Sequence, residues 1–459
     1  MAFALSIGLF AYFWVVGYAV VAALHTQRDL IRNALIAPGI GVAVTVYSIY
    51  VFSRLGQPVG SFAVIHAIAM VILACVVLAI LKPVLPARRL SPYIVIGAIA
   101  FVTTGWPLLT LGFSWLGSLN GDMANYVLDA HRLVDQAFLQ PPDPKAWVDR
   151  SDVSTYFVEY PLFGVRTASD LLLAWVVTLT GKNGLMVYMP LLVALNVALI
   201  AAAAALITTP HRYARLVTAG FMSASAMLTL GVHLQLFAQV LGLLLLVLAA
   251  GFCFTRFYRL KLGNLVRHVA LAAMVVATFV LTYPEILPFF GVAFMIYHAA
   301  DWREIYGWHR IALTAFFAIA MTSIVLTIPD IVNHVFFLFH QITHFGITSR
   351  TVETFPFFLA PSGLAALWGI SPYVAGQNSS LNTEIPIGAS LCLAAILSIL
   401  WLVRRHEPAA VIAAVMAVLA VPMFLGENGF GLLKLAMYAQ PFLLSTIILS
   451  TLSLLRASR

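Results

Sequence analysis

Long stretches of this chain are almost uninterrupted apolar sequence, with polar residues confined to the breaks between them. A membrane-spanning helix needs about 20 predominantly apolar residues. Thirteen runs approach or meet that length: 2–24, 34–53, 62–81, 93–112, 186–208, 216–232, 235–254, 268–283, 286–300, 310–329, 385–403, 409–425 and 430–452. They predict an all-α fold, a polytopic membrane helix bundle of about 13 transmembrane helices. The first run starts at Met1 without a basic segment or a small-residue cleavage site, so it reads as a retained span and not a removed signal peptide. The breaks divide the chain into N-terminal spans 1–112, a long loop 113–185, central spans 186–329, a second long loop 330–384 and C-terminal spans 385–459.

Charge orients the spans, because Lys and Arg near span ends stay on the cytoplasmic side. Placing 25–33 inside also places inside Lys82, Arg88 and Arg89; Arg212 and Arg215; Arg256, Arg259, Lys261 and Arg267; Arg303 and Arg310; Arg404 and Arg405; Arg456 and Arg459. That register takes 17 of the 25 basic residues, and among the short outer turns only 54–61 carries one, Arg54. The N-terminus and both long loops are then outside and the C-terminus inside. The net charge of +8 is explained by this bias, so no nucleic-acid partner is implied.

Composition agrees, with 62% hydrophobic and 9% charged residues against roughly 45–50% and 25% in soluble domains. The chain is read as a multi-pass integral membrane protein, and its Ala-rich sequence suits a bacterial inner membrane, which makes the outer face periplasmic. Cys75, Cys253 and Cys392 lie within apolar runs without a His or Cys at ligand spacing, so neither a disulfide framework nor a zinc site is indicated.

The first long loop carries helical periodicity. Met123, Tyr126, Val127, Ala130, Leu133, Val134, Ala137 and Phe138 make an apolar face, with Asn125, Asp129, Arg132, Asp135 and Gln136 opposite. This pattern predicts an amphipathic helix lying along the membrane surface, with His131 and Arg132 on its charged side. A second amphipathic or re-entrant helix is expected from Ala168 to Leu179, where Thr167 and Asp170 have capping-box spacing and Arg166 precedes Asp170 by four residues.

Asp122 stands just after Asn120-Gly121 and at the head of the first loop helix. It reads either as a helix cap or as a carboxylate held at the membrane boundary to take a proton from an acceptor hydroxyl, and one residue can do both. Threading the spans brings other polar residues to the same level: His233 and Gln235 in one turn with Gln239 one helical turn further in, Tyr283-Pro284-Glu285 in another, Asp330, and Glu427-Asn428 before the last span. Lys434 lies roughly 6 Å into that span, where its ammonium either meets a lipid phosphate or snorkels to water. Gln239 reads equally as a hydrogen-bond partner of a neighbouring helix, and Glu285 as a solvated turn residue. His340 and His344 share helical spacing, but the step from His334 breaks the period and aromatic and aliphatic residues surround them, which speaks against a metal site.

Four short stretches give the chain a resemblance to the polyprenyl-phosphate-dependent glycosyltransferases of the GT-C superfamily: Gly121-Asp122 with the helix after it, Phe237-Ala-Gln239-Val-Leu-Gly242-Leu, Tyr283-Pro-Glu285, and Gly431-Leu-Leu-Lys434-Leu-Ala-Met-Tyr438. The family's best-known members place the large loop after their first span, whereas here it follows the fourth. The resemblance implies a GT-C-like bundle that moves a sugar from a polyprenyl-phosphate donor to a glycan or lipid acceptor in cell-envelope glycan assembly, with inversion at the anomeric carbon. Asp122 would be the catalytic base. Lys434, Arg166 and Arg132 would bind the donor phosphate by charge-assisted hydrogen bonds. Glu285, Glu159, His233, Gln239, Tyr283 and Tyr438 would contact substrate. No cofactor is implied, although a divalent ion held by Asp122 and a second carboxylate stays open.

The leaving group of such a donor is already good, so one base and cations suffice, without the paired carboxyls of glycosidases. The chain has no Gly-rich phosphate loop after a strand and no Asp-x-Asp, as a lipid-linked donor would allow. Two other readings remain: a lipid or small-molecule transporter or flippase, which would place ionisable groups near the bilayer midplane, and a polymerase or ligase of undecaprenyl-diphosphate-linked glycan, using a His or Arg350 of 330–384.

Overall fold

A computed structural model describes residues 1–24, 29–117, 121–140, 166–207, 213–256, 260–300, 335, 355–370 and 381–457. Among them all regular structure is helical: α1 Ala2–Leu24, α2 Leu30–Arg54, α3 Val59–Leu81, α4 Ala87–Thr110, α5 Gly121–Asp135, α6 Thr167–Thr180, α7 Gly184–Ala205, α8 Ala214–Ser223, α9 Ala226–His233, α10 Phe237–Cys253, α11 Leu262–Thr282, α12 Leu287–Ala300, α13 Gly363–Ala366, α14 Leu381–Val403, α15 Pro408–Leu425 and α16 Gly429–Ala457. Nine helices among the described residues are long and apolar enough to cross a membrane, or ten if α8 and α9, bent by 43° at their junction, form one span. The chain is therefore a multi-pass helical membrane protein. Of the thirteen apolar runs, 235–254 and 286–300 correspond to the shorter helices α10 and α12, and 310–329 lies outside the described residues.

Local chemistry sets the boundaries. The Asp29 carboxylate accepts from the backbone N–H of Arg32 at 3.1 Å and starts α2. Asn428 Oδ1 accepts from the N–H of Gly431 at 2.7 Å and starts α16. Gly181, at φ +61°, ends α6 in the left-handed conformation that a side chain rarely adopts.

The chain forms two compact units, Met1–Ala202 with Val232–Pro284 and Gly307–Phe337, and Ala203–Gly231 with Glu285–Tyr306 and Leu338–Arg459. In the first, α1 and α2 cross at backbone contact: a Cβ on Gly17 would lie 1.8 Å from the Ala37 carbonyl oxygen, and one on Gly41 1.8 Å from that of Phe13. Small residues at such crossings let helices exchange dispersion contacts where lipid offers no hydrophobic drive. In the first turn of α2, Arg32 is buried and its Nη2 donates to the Gly251 carbonyl near the C-terminus of α10 at 2.9 Å. In the second unit α14, α15 and α16 pack together with α8 and α12. Ile207, Ala214, Leu402, Ala410 and Leu449 form a core there, and Ser398 and Ser450 join α14 to α16 by a 2.6 Å hydrogen bond.

The loop helices depart from the amphipathic expectation. Every residue of α6 from Thr167 to Val177 is buried, because α2, α3, α5, α10 and α11 all pack on it. It is an internal helix, as its nearly all-apolar sequence requires once both sides are covered. α5 appears over the predicted stretch with Met123, Tyr126, Val127, Ala130 and Leu133 buried. Asp129 and Arg132 are buried as well, contrary to the polar side assigned to them, since α6 and α3 cover both flanks of the helix. The capping box does not form: Arg166 occupies the cap of α6 without a side-chain cap bond, and Asp170 turns to α5.

Candidate functional site

Residues from α5, α6, α7, α10 and α11 meet around Tyr126 and Arg166 in the first unit. Arg166 Nη1 donates to the Tyr126 hydroxyl at 3.0 Å, and its guanidinium lies 5.1 Å from the centroid of the Tyr283 ring. Tyr283 fits against Gly242, where a Cβ would come within 2.7 Å of the tyrosine Cβ. Phe237 packs on Tyr126 and Tyr188 with ring centroids 5.7 and 5.3 Å apart. Two stretches noted in the sequence, 237–243 and 283–285, thus reach the loop helix through Phe237 and Tyr283. Burial pushes the Tyr126 phenol well above its usual pKa, with Arg166 opposing, so the ring stays neutral and its oxygen accepts from the guanidinium.

Asp122 is in the first turn of α5, one turn before Tyr126, and is half-buried. A carboxylate there is favoured by the helix dipole, as Arg132 is in the last turn. Asp122 falls inside the helix, so it is a first-turn residue and not the cap itself. The chain entering α5 is fixed by Gln235, which takes φ +60° and is fully buried. Its Nε2 donates to the Leu116 carbonyl, its own carbonyl accepts from the Tyr188 hydroxyl at 2.8 Å, and Gly117 leaves room for its side chain. His233 packs against Trp115 with centroids 5.3 Å apart and the rings tilted by 58°, and Gln239 is buried in α10.

Arg132 is engaged within the fold: Nε donates to Gln136 at 3.2 Å and Nη2 to the Gln140 carbonyl at 2.8 Å. Its Nη1 lies 3.8 Å from Asp129 Oδ1. His131 does not form a charged surface, because its Nε2 accepts from the N–H of Gly184 at 3.2 Å and ties α5 to the start of α7. Sequence reasoning missed the pairing of Asp129 with Asp170. The two buried carboxyls are hydrogen-bonded to each other, and both titrate above the ordinary carboxylate range. Burial is the main cause. For Asp170, raised furthest, the charge of Asp129 adds to it; for Asp129, Arg132 and the bond from Asp170 oppose it.

The remaining predicted residues belong to the second unit or lie outside the described residues. Lys434 and Tyr438 lie on α16 in the second unit, the ammonium 4.2 Å from the centroid of Phe430 and Tyr438 buried. Glu285, also of the second unit, sits half-buried in the 3-10 turn Pro284–Ile286. Glu159, His334, His340, His344 and Arg350 lie outside the described residues. Compared with models of protein families, with curated proteins and with solved structures, the chain matches none.

Proposed function

We propose that the protein is a membrane glycosyltransferase of GT-C type, moving a sugar from a polyprenyl-phosphate donor to an acceptor hydroxyl at the membrane face where α5 begins. On the positive-inside rule, the charge distribution along the chain supports reading that face as the outer, periplasmic one. The observation that carries the reading is the joining of a carboxylate and a guanidinium at one end of α5: Asp122 in its first turn, and Arg166 held one turn on by the Tyr126 hydroxyl. Asp122 takes the acceptor proton, the acceptor oxygen bonds to the anomeric carbon, and the bond from that carbon to the phosphate oxygen breaks with its electron pair leaving on the phosphate. Arg166 stabilises the charge that develops there. Its planar fork, pre-set by Tyr126 and Tyr283, suits a phosphate better than a flexible cation would. Attack from the face opposite the leaving group inverts the anomeric centre.

The test is turnover of a polyprenyl-phosphate sugar by purified protein in lipid. Asp122→Asn should lose turnover by about a hundredfold or more, on the scale of a missing general base, and product from a donor of known anomer should be inverted. Retention of configuration, or an Asp122→Asn variant as active as wild type, would refute the reading.

A transporter of lipid or small molecules is the second reading, favoured by His66, an ionisable side chain buried within α3 and bonded to Ser48 of α2 at 2.7 Å. Movement of a labelled lipid across liposomes without sugar transfer would favour it.

A further inference from the structure

The buried Asp129–Asp170 pair has no role in the chemistry above, yet it lies where α5 meets α6. A hydrogen bond between two carboxyl groups requires a proton, because ionised carboxylates only accept. Both residues are more than nine-tenths buried. Asp129 Oδ1 takes no hydrogen bond and lies 3.8 Å from Arg132 Nη1, so the shared proton engages its other oxygen and Asp129 is the carboxylate of the pair. Asp170 is the donor.

We propose that Asp129 and Asp170 are positioning residues that latch α5 onto α6 through one shared proton, and so fix the turn that carries Asp122. The inference deepens the proposed function, since Asp122 matters through that function, but the latch can be tested without any activity.

The neighbours of the pair support a single proton. Arg132 of α5 faces Asp129, and Arg166 at the cap of α6 faces Asp170. Tyr126 of α5 and Tyr188 of α7 stand within electrostatic reach of Asp170. Among the other elements packed on α6, α3 brings His66, which is occupied by Ser48 and lies edge-on to Trp175. α2 brings Tyr50, packed on Phe138, and Arg54 at its end; α11 leads into Tyr283, which lies under Arg166. Arg132 stands by Asp129 as an ion pair at 3.8 Å and Arg166 acts on Asp170 through its charge, and the bond between the two carboxyls themselves still needs the shared proton. A second ionisation would leave two adjacent buried anions. The sign follows: the latch is complete at acid pH and weakens as pH rises from the ordinary carboxylate range towards the raised value of Asp170.

Asp170→Asn supplies an amide N–H that replaces the proton at every pH, whereas Asp170→Ala leaves Asp129 without a donor. Hydrogen exchange of the α5 amides, corrected for intrinsic rates and measured from acid to alkaline pH in lipid nanodiscs, reads the latch directly. In wild type, protection of α5 should fall with rising pH. In Asp170→Asn it should stay high and flat, and in Asp170→Ala it should be lower by about tenfold at acid and neutral pH, the scale of an unsatisfied buried acceptor. Infrared spectra should show a protonated-carboxyl band in wild type at neutral pH that is missing in Asp170→Asn. Should Asp170→Ala fail to fold, Asp129→Asn serves instead, because its amide can donate to the Asp170 carboxylate beside Arg166 and should also flatten the pH profile. A pH-independent wild type, no protonated-carboxyl band, or an Asp170→Asn variant as exposed as Asp170→Ala would overturn the latch. Flat, protected α5 in Asp170→Asn together with absent sugar transfer in wild type would uphold the latch and refute the glycosyltransferase.

Discussion

The crossing of α1 and α2 makes the sharpest demand on sequence, and Gly41→Ala tests it. The added Cβ would stand 1.8 Å from the Phe13 carbonyl oxygen, 2.6 Å from its carbon and 2.9 Å from its Cα. A carbon and a carbonyl oxygen in favourable contact sit about 3.3–3.6 Å apart, so the shortfall is about 1.5 Å. All three atoms are backbone, and no rotamer change can clear them. The helices must separate, and a gap of even 0.5–1 Å forfeits a quarter to a half of the dispersion at a contact. The cost belongs at the upper end of overpacking, roughly 3 kcal/mol. Gly17→Ala meets the Ala37 oxygen at 1.8 Å and the nitrogen of Gly41 at 2.5 Å, which is the same crossing. The double variant should therefore cost less than the sum, since helices already parted accept the second methyl. Gly8→Ala on the same helix meets nothing within 4 Å and should gain roughly 0.5–1 kcal/mol from backbone entropy. Thermal unfolding in a single detergent, followed by intrinsic fluorescence, separates these outcomes. A Gly41→Ala midpoint equal to that of Gly8→Ala would refute the close crossing.

Three further outcomes follow from single contacts. Tyr126→Phe removes the acceptor of Arg166 Nη1 and should lower stability by roughly 1.5–3 kcal/mol, the range for a bond to a charged group; an unchanged unfolding midpoint would contradict that contact. Arg32→Met leaves the Gly251 carbonyl without its charged donor and should cost a similar amount in the same assay, so a neutral effect would count against the buried pairing. Ser48 is placed to donate its one hydroxyl proton to the Val44 or Thr45 carbonyl, at 2.8 and 2.9 Å, while its oxygen lies 2.7 Å from His66 Nε2. His66 should therefore carry its proton on Nε2, which nitrogen-15 NMR of selectively labelled protein reads directly; a proton on Nδ1 in wild type, or no change in Ser48→Ala, would refute the arrangement.

Helix placement was legible in the sequence because apolar periodicity and span length are local properties. The period of 3.6 placed α5, and the apolar runs placed the long helices. Burial around α5 was not legible, because Asp129 and Arg132 occupy positions that face solvent on an isolated amphipathic helix. They face α6 and α3 only once residues distant in sequence have packed on both flanks. Asp170 misled for the same reason: its spacing from Thr167 is that of a capping pair, but a buried carboxyl on the other helix offers a partner that the local pattern does not contain. The meeting of Arg166 with Tyr126 and Tyr283 likewise joins three segments far apart in the chain. No periodicity encodes it.

Lipid mass spectrometry of detergent-purified protein tests the central claim most directly, comparing wild type with Asp122→Asn and Arg166→Ala. The glycosyltransferase account predicts a hexosyl or pentosyl polyprenyl phosphate that copurifies with wild type, is retained or enriched in Asp122→Asn, where the base is lost but the phosphate site is intact, and falls in Arg166→Ala. Absence of any polyprenyl lipid from all three folded proteins, or equal retention by Arg166→Ala, would contradict it.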